Sequence, residues 1–428
     1  MVVESKSPEK SKYGLRWPEP RVPFTVPNQI KRTIFTSWIN LLLLCVPIGL
    51  GLHSRYGGES AEVFAVNYAA EIPLWFMCDY ALEEMEKYIG PTASDLLDIF
   101  TTNTVQVISS LLLLFQTKEV ELLQTSLIGG ILSNILVLLG LSLLIGGFSN
   151  HEQHFNRLGA QGASTLLSIA ATSILIPTAV KLLNQTSHGN LVKQSRGVAV
   201  VLLFIYCCYT FCQMVTHRKE YHKAPTSRTG TNTLPSATPP SFPGPGSGAN
   251  HNHASLWASR AERPKDNEIH GPQLHFFVAI FVFVTSIVLL YFCIDATVDS
   301  IAALTEQTPL TPMFVGLILL PIPNCDFAPI SLAVDNFLEQ TMRYTVGRSI
   351  QTALLVEPTV VLLAWWAGVG EVTLAFNGFE VVSLFTTIML LGFLMVDAKV
   401  HWVHGILLLS DWALIGIAAY FVAPESVK

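Results

Sequence analysis

The chain has 428 residues, of which 50% are hydrophobic and only 13% charged, and its mean hydropathy is +0.46. Those values exclude a soluble protein of this size and fit a polytopic membrane protein. The net charge of −6 is spread among loops and termini and points to no nucleic-acid partner.

Residues 1–35 are polar and mixed in charge, carry no cleavable signal pattern, and read as a cytosolic tail. Apolar windows then predict eleven spans, at roughly 36–54, 62–82, 94–116, 125–147, 160–182, 196–216, 271–298, 310–332, 345–368, 376–396 and 402–422. Lys and Arg residues crowd the segment before the first span, and Arg218, Lys219 and Lys223 follow the sixth. The positive-inside rule puts both segments in the cytosol, so eleven spans place the C-terminus on the lumenal side. The seven cysteines fall in or beside apolar segments and form no C-x-x-C metal pattern.

Ionisable residues in apolar surroundings are costly and are functional candidates by default. The second span contains Glu71 and ends in Asp79, Glu83 and Glu84; the third holds Asp98, Thr102, Asn103 and Gln106. Asn103 and Gln106 stand at i and i+3, so a continuous helix turns both toward one cavity. They are neutral oxygen donors, whereas hard cations such as Ca2+ usually also take carboxylates. The fourth span, TSLIGGILSNILVLLGLSLLIGG, has no charged residue yet carries Ser126, Ser133 and Asn134, with Gly129 and Gly130 placed for close helix contact. Its polar side chains either bond to a neighbouring helix or line a polar path.

Residues 217–270 form a linker rich in Pro, Gly, Ser and Thr, predicted to be disordered. It separates a first membrane portion, 36–216, from a second, 271–424. Two similar halves joined this way suggest the inverted repeats of secondary transporters, with the substrate site where the halves meet. The expected fold is all-α: one extra N-terminal helix plus two inverted five-helix repeats.

The seventh span ends in Asp295 and Asp299. The eighth carries Pro321-Ile-Pro323-Asn324-Cys325-Asp326, then Pro329. Prolines remove backbone donors and unwind helices, and a freed carbonyl beside Asn324 and Asp326 suits a midplane cation site; the alternative is a kink that only shapes packing. The ninth span contains Arg348, Ser349, Gln351 and Glu357. In a cavity Arg348 would repel a cation or pair with Glu357 or Asp326. Its place near the start of the window favours snorkelling to the interface instead. Gly347, Ser349 and Gln351 echo Gly130, Ser133 and Asn134.

Ala81-Leu-Glu83-Glu84, Gln124 to Gly147, Glu152-Gln-His-Phe155-Asn156, Ser195-Arg-Gly197, Val298-Asp-Ser300, Gly316 to Ile322 and Gly405-Ile-Leu-Leu together resemble the calcium/proton exchanger family of vacuolar membranes, in a fungal style. The resemblance runs from about Lys31 to the last span, without the linker. It implies a Gly-Asn-x-x-Glu signature in each half, whose acids bind the cation and exchange it for protons. Here Thr102, Asn103 and Gln106 stand at the first copy and Pro323 and Asn324 at the second. The second acid is then Asp326, or is lost at Phe327. The family's Gly-Ser-Ser run is Gly347-Arg348-Ser349.

Carried over this way, Asn103, Gln106, Asn324 and Asp326 are the expected cation ligands. Glu83, Glu84, Asp295 and Asp299 join them on the cation and proton path, with Thr102, Ser133, Asn134, Arg348, Ser349 and Gln351 as supporting polar groups. The resemblance implies no enzyme activity and no cofactor, only calcium or another cation as transported substrate, with the bilayer, cations and protons as partners. Three functions stay open. The first is a proton-coupled cation antiporter that fills an acidic organelle by alternating access. The second is a non-transporting homologue with a regulatory or scaffold role. The third is a transporter of changed specificity, in which Arg348 neutralises an anion or acts as a tethered cation. The vacuole follows from the resemblance alone.

Overall fold

The computed structural model describes residues 24–34, 38–89, 91–150, 153–155, 157–185, 187–216, 272–369, 372–396 and 399–422. The linker and most of the N-terminal tail lie outside the described residues. The described chain is helical almost throughout, because a bilayer offers backbone N–H and C=O groups no water and a helix satisfies them internally.

Eight helices are long and apolar enough to cross a membrane, and two bent pairs bring the number to ten among the described residues. After the short helix α1 (Val26–Ile34), the first of these is α2 (Trp38–Tyr56). Helix α3 (Ala61–Glu86) is also long, about 39 Å at 1.5 Å per residue, but six acids set it apart from the ten. Next come the bent pair α4 (Pro91–Thr102) and α5 (Thr104–Thr117), then α6 (Val120–Ser149), α7 (Arg157–Leu182) and α8 (His188–Phe211). The second half contains α9 (Phe276–Asp299) and the short α10 (Ile301–Gln307). A second bent pair follows, α11 (Pro312–Asn324) with α12 (Ala328–Val334), then α13 (Leu338–Ala367), α14 (Gly378–Val396) and α15 (Trp402–Phe421). Ten of the eleven expected windows fall on the ten apolar spans and the second falls on α3.

The order of elements recurs. In each half a straight helix (α3, α9) precedes a bent pair, then a 30-residue helix containing a π turn (α6, α13), then two more helices. The π turn Thr352–Val356 of α13 lies just before Pro358, which has no N–H to return to the preceding turn. The π turn Ser133–Leu139 of α6 has no such proline, and nothing in its sequence accounts for it.

Helices α6 and α13 form the centre: 78% and 56% of their apolar windows are buried inside the protein, against 22–33% for α2, α7, α8, α9 and α15. The outer helices turn Trp38, Phe204, Phe281 and Phe421 outward, as a lipid-facing surface requires. Helix α3 packs along α9; α6 packs against α11, α12, α13 and α15; α7 packs on α14. The approach of α6 to α11 is close enough to need glycine on both sides. A Cβ at Gly129 would stand 2.5 Å from the Leu317 carbonyl oxygen, and one at Gly316 would stand 2.9 Å from Thr125 Cγ2. Outside the helices, β1 (Gln153–His154) pairs antiparallel with β2 (Lys399–Val400), tying the loop after α6 to the entry of α15.

Candidate functional site

The first bent pair turns by 50° at Asn103, whose φ of −107° and ψ of 22° lie outside the helical region. Around it the threonines bond backwards: the Thr101 hydroxyl donates to the Leu97 carbonyl at 2.8 Å, and that of Thr102 to the Asp98 carbonyl at 2.6 Å. Such back-bonding bends helices. The second pair turns by 67°. Pro321 and Pro323 shape a tight turn at Ile322–Asn324, the chain runs extended at Cys325, and α12 restarts with Pro329 in its first turn. The Ala328 N–H, which a continuous helix would send to the Asn324 carbonyl, donates instead to Asp326 Oδ1 at 2.9 Å. Asn324 therefore has a carbonyl free for another donor.

Arg348 takes it. Its Nη2 donates to the Asn324 carbonyl at 2.7 Å, to Asn324 Oδ1 at 3.2 Å, and to the Thr102 carbonyl at 2.6 Å. The two carbonyls end α4 and α11, so the guanidinium sits at the negative ends of two half-helices, one from each half of the chain. Its Cζ lies 5.6 Å from the centroid of the Trp75 ring, a cation–π arrangement. Arg348 is 2% exposed.

Snorkelling is thereby overturned. The ninth window began at 345, but α13 begins at Leu338, so Arg348 stands ten residues inside the helix and faces the centre. Nor does it pair with Glu357. That carboxyl is buried, and neither of its oxygens has a hydrogen-bond partner among the described residues.

One turn after Arg348, Gln351 Oε1 accepts from Asn103 Nδ2 at 2.8 Å, and the Thr352 hydroxyl lies 3.5 Å from Asn103 Oδ1. The structure thus joins buried Thr102, Asn103, Asn324 and Arg348 with half-buried Gln351 in one network. Asp326 is buried beside it. Gln106 rests against Gly130, where an added Cβ would stand 2.8 Å from its Oε1; its amide nitrogen has no partner among the described residues. Ser133 turns back to the Gly130 carbonyl at 3.1 Å, and Ser349 back to Thr345 at 3.2 Å with a long contact to the Ile131 carbonyl of α6. Asn134 is buried in the same π turn.

The companion acids are not gathered. Helices α3 and α9 run antiparallel, since Glu71 bonds Thr297 while the far end of α3 meets Leu274. Glu83 and Glu84 therefore lie near one end of this pair, and Asp295 and Asp299 toward the other. Glu84 stands nine residues beyond Trp75, about 13 Å along the axis. It is tied down there: its Oε2 accepts the Gln273 and Leu274 N–H groups at 2.6 and 3.0 Å, and Lys87 Nζ reaches Oε1 at 2.5 Å. Asp299 is exposed and packs against Gly58. Among the described residues no three His, Cys, Asp or Glu side chains gather to hold a metal ion.

Reasoning from the sequence singled out Glu71 on α3 but missed Tyr68 and Trp75 on the same helix. Trp75 covers the Arg348 guanidinium, the Tyr68 hydroxyl donates to the Leu319 carbonyl at 2.7 Å, and Glu71 accepts from Thr297 at 2.6 Å. The signal was present, for Tyr68, Glu71 and Trp75 stand at i, i+3 and i+7, one face of a helix.

Comparison with known proteins agrees with this architecture. The profile of the sodium/calcium exchanger protein family matches residues 99–215 and 278–421, more than half of the chain. A vacuolar calcium ion transporter of Schizosaccharomyces pombe is 29% identical over 406 residues, covering 94% of this chain and 88% of that protein. A Ca(2+)/H(+) antiporter of Aphanothece halophytica is also 29% identical, covering 92% and 99%. Among solved structures, the Ca2+/H+ antiporter protein YfkE superposes with a TM-score of 0.65 at 18% identity, covering 89% of this chain and all of that one. The H+/Ca2+ exchanger CAX does so with a TM-score of 0.60 at 11% identity, covering 91% and 92%. These two likenesses establish the fold.

Proposed function

Since the chain belongs to the sodium/calcium exchanger protein family, we propose that it is a proton-coupled cation antiporter, moving calcium or another divalent cation from the cytosol into an acidic organelle. The observation that carries this is the meeting of two helix breaks, one per half, with carbonyls and amide side chains turned on one buried point. Broken helices facing each other at mid-depth are how transporters hold an ion and how their halves rock between two access states. The recurring order of helices fits two inverted five-helix repeats, with α3 counted as the eleventh span. The vacuolar membrane is the expected place, from the name of the S. pombe relative.

Asp326 is the acid placed to trade a proton for the cation. Asn103, Gln106 and Asn324 offer neutral oxygens. Glu83 at one end of the α3–α9 pair and Asp295 and Asp299 toward the other mark its two approaches. The test is Asp326→Asn in proteoliposomes under a pH gradient, with Ca2+, Mn2+, Na+ and K+ supplied in turn. Asparagine keeps an oxygen for the Ala328 N–H, so the break survives while the charge is lost, and proton-driven uptake is expected to stop. Uptake at the wild-type rate would rule out this role for Asp326.

A second reading, a non-transporting homologue with a regulatory or scaffold role, is favoured by one observation: a fixed positive charge already lies at the point where the breaks meet. Wild-type protein, correctly inserted and passing none of the four ions, would establish it over antiport.

A further inference from the structure

We infer that Arg348 is a tethered cation lodged in the ion position and is the residue that sets a low affinity for free divalent ions, an inference that rests on taking the two breaks as the ion's passage. The geometry around it is that of an ion in its ligand shell. A single nitrogen, Nη2, has three oxygens within 2.6–3.2 Å, two of them backbone carbonyls at the ends of half-helices from different halves. Trp75 covers the guanidinium with an aromatic face, and the side chain is withdrawn from solvent.

The occupied carbonyls point the same way. Besides the buried Asp326, the first break holds Asp98, whose Oδ1 accepts from the Thr102 hydroxyl at 3.0 Å, so carboxylates are at hand, but the Thr102 and Asn324 carbonyls are not. A divalent ion arriving there would find both carbonyls taken by a positive charge. Arginine cannot yield by losing its proton. An ion therefore enters only as Arg348 leaves the carbonyls, and while Arg348 stays it bridges Thr102 of the first half to Asn324 of the second. Arg348 is thus a built-in competitor for the transported ion.

The experiment uses the full chain in nanodiscs for equilibrium binding of radioactive Ca2+, with proteoliposome flux measured in parallel. Removing a positive charge at contact distance in a buried site is expected to tighten Ca2+ binding by at least about 100-fold in Arg348→Ser. Arg348→Gln is neutral, close in length, and expected to gain likewise; it serves where the serine variant does not fold, as judged by melting temperature and monodispersity. Arg348→Lys keeps the charge without the planar fork and is expected to stay as weak as wild type.

Neutral variants that fold and bind Ca2+ no tighter than wild type would overturn the inference. So would a wild type that binds Ca2+ as tightly as they do. The two readings fail separately. Neutral variants that gain affinity yet carry no flux leave Arg348 as the competitor and sink antiport. Wild-type Ca2+ flux with no gain in either neutral variant does the reverse.

Discussion

Gly129 and Gly130 are neighbours on α6, yet adding one methyl group to each should do different things. At Gly129 the new Cβ meets the Leu317 carbonyl oxygen at 2.5 Å, Pro321 Cγ at 2.8 Å and the Gly316 carbonyl oxygen at 2.9 Å, where ordinary contact begins at 3.4 Å. The worst shortfall, 3.4 less 2.5, is 0.9 Å, and it is against backbone that no rotamer change can move. Overpacking of this kind costs about 1–3 kcal/mol, offset by up to about 1 kcal/mol from replacing a helical glycine with alanine. Gly129→Ala should therefore lose about 1–2 kcal/mol net and melt a few degrees lower. At Gly130 the Cβ meets Gln106 Oε1 at 2.8 Å, with Gln106 Cδ and Thr352 Cγ2 next at 3.4 and 3.8 Å. That neighbour is the end of a flexible side chain. Gly130→Ala should cost less than Gly129→Ala, since a side-chain end can give way where backbone cannot, while displacing Gln106 and changing ion flux. Thermal unfolding followed by fluorescence-detected size exclusion, beside proteoliposome flux, separates the two. Equal melting of Gly129→Ala and wild type, or equal loss in both variants, would refute the idea that backbone contact sets the spacing of α6 and α11.

Glu84→Ala strips an acceptor from the N–H groups of half-buried Gln273 and buried Leu274 and a partner from Lys87. It should cost roughly 2–3 kcal/mol, since each orphaned buried donor costs about 1–3 kcal/mol; unchanged melting would show that the entry of α9 is not anchored there. Glu380 of α14 accepts from the Thr125 hydroxyl of α6 and, at 3.1 Å, from the Asn377 N–H. A double-mutant cycle of Thr125→Val and Glu380→Gln should return a coupling of about 0.5–3 kcal/mol, as for residues sharing one hydrogen bond, and additive losses would sever the link.

Much of the fold was legible because hydropathy is local. Ten windows predicted ten spans, and prolines 321 and 323 announced the second break. Asn103 and Asn324 stood out as polar residues in apolar runs, and both lie at breaks. What failed was whatever depended on where a helix starts or which way it runs. Glu339, Gln340, Arg343 and Tyr344 made the first ten residues of α13 too polar for an apolar window, so Arg348 looked terminal. The spread of the acids of α3 and α9 toward opposite ends of their pair stayed hidden, because a sequence does not show that two distant helices pack antiparallel. Trp75 drew no attention because nothing local distinguishes an aromatic that covers a charge from one that fills a core.

The position of Arg348 also bears on how the halves hold together. A free ion bound between Thr102 and Asn324 would join the halves only while it stayed, and its departure would let them part. A guanidinium on α13 can be withdrawn from those carbonyls but not lost, since it moves only as far as its own side chain and helix allow. Buried charge-assisted bonds of this kind are worth more than neutral ones, and leaving one partner unpaired is costly. The Thr102 and Asn324 carbonyls therefore favour the conformation in which Arg348 reaches both, and any change of access must first supply another donor or ion in its place. If the chain works as the antiporter proposed above, the coupling between ion and conformation would run through a residue of α13, and neutralising Arg348 should then alter binding and motion together.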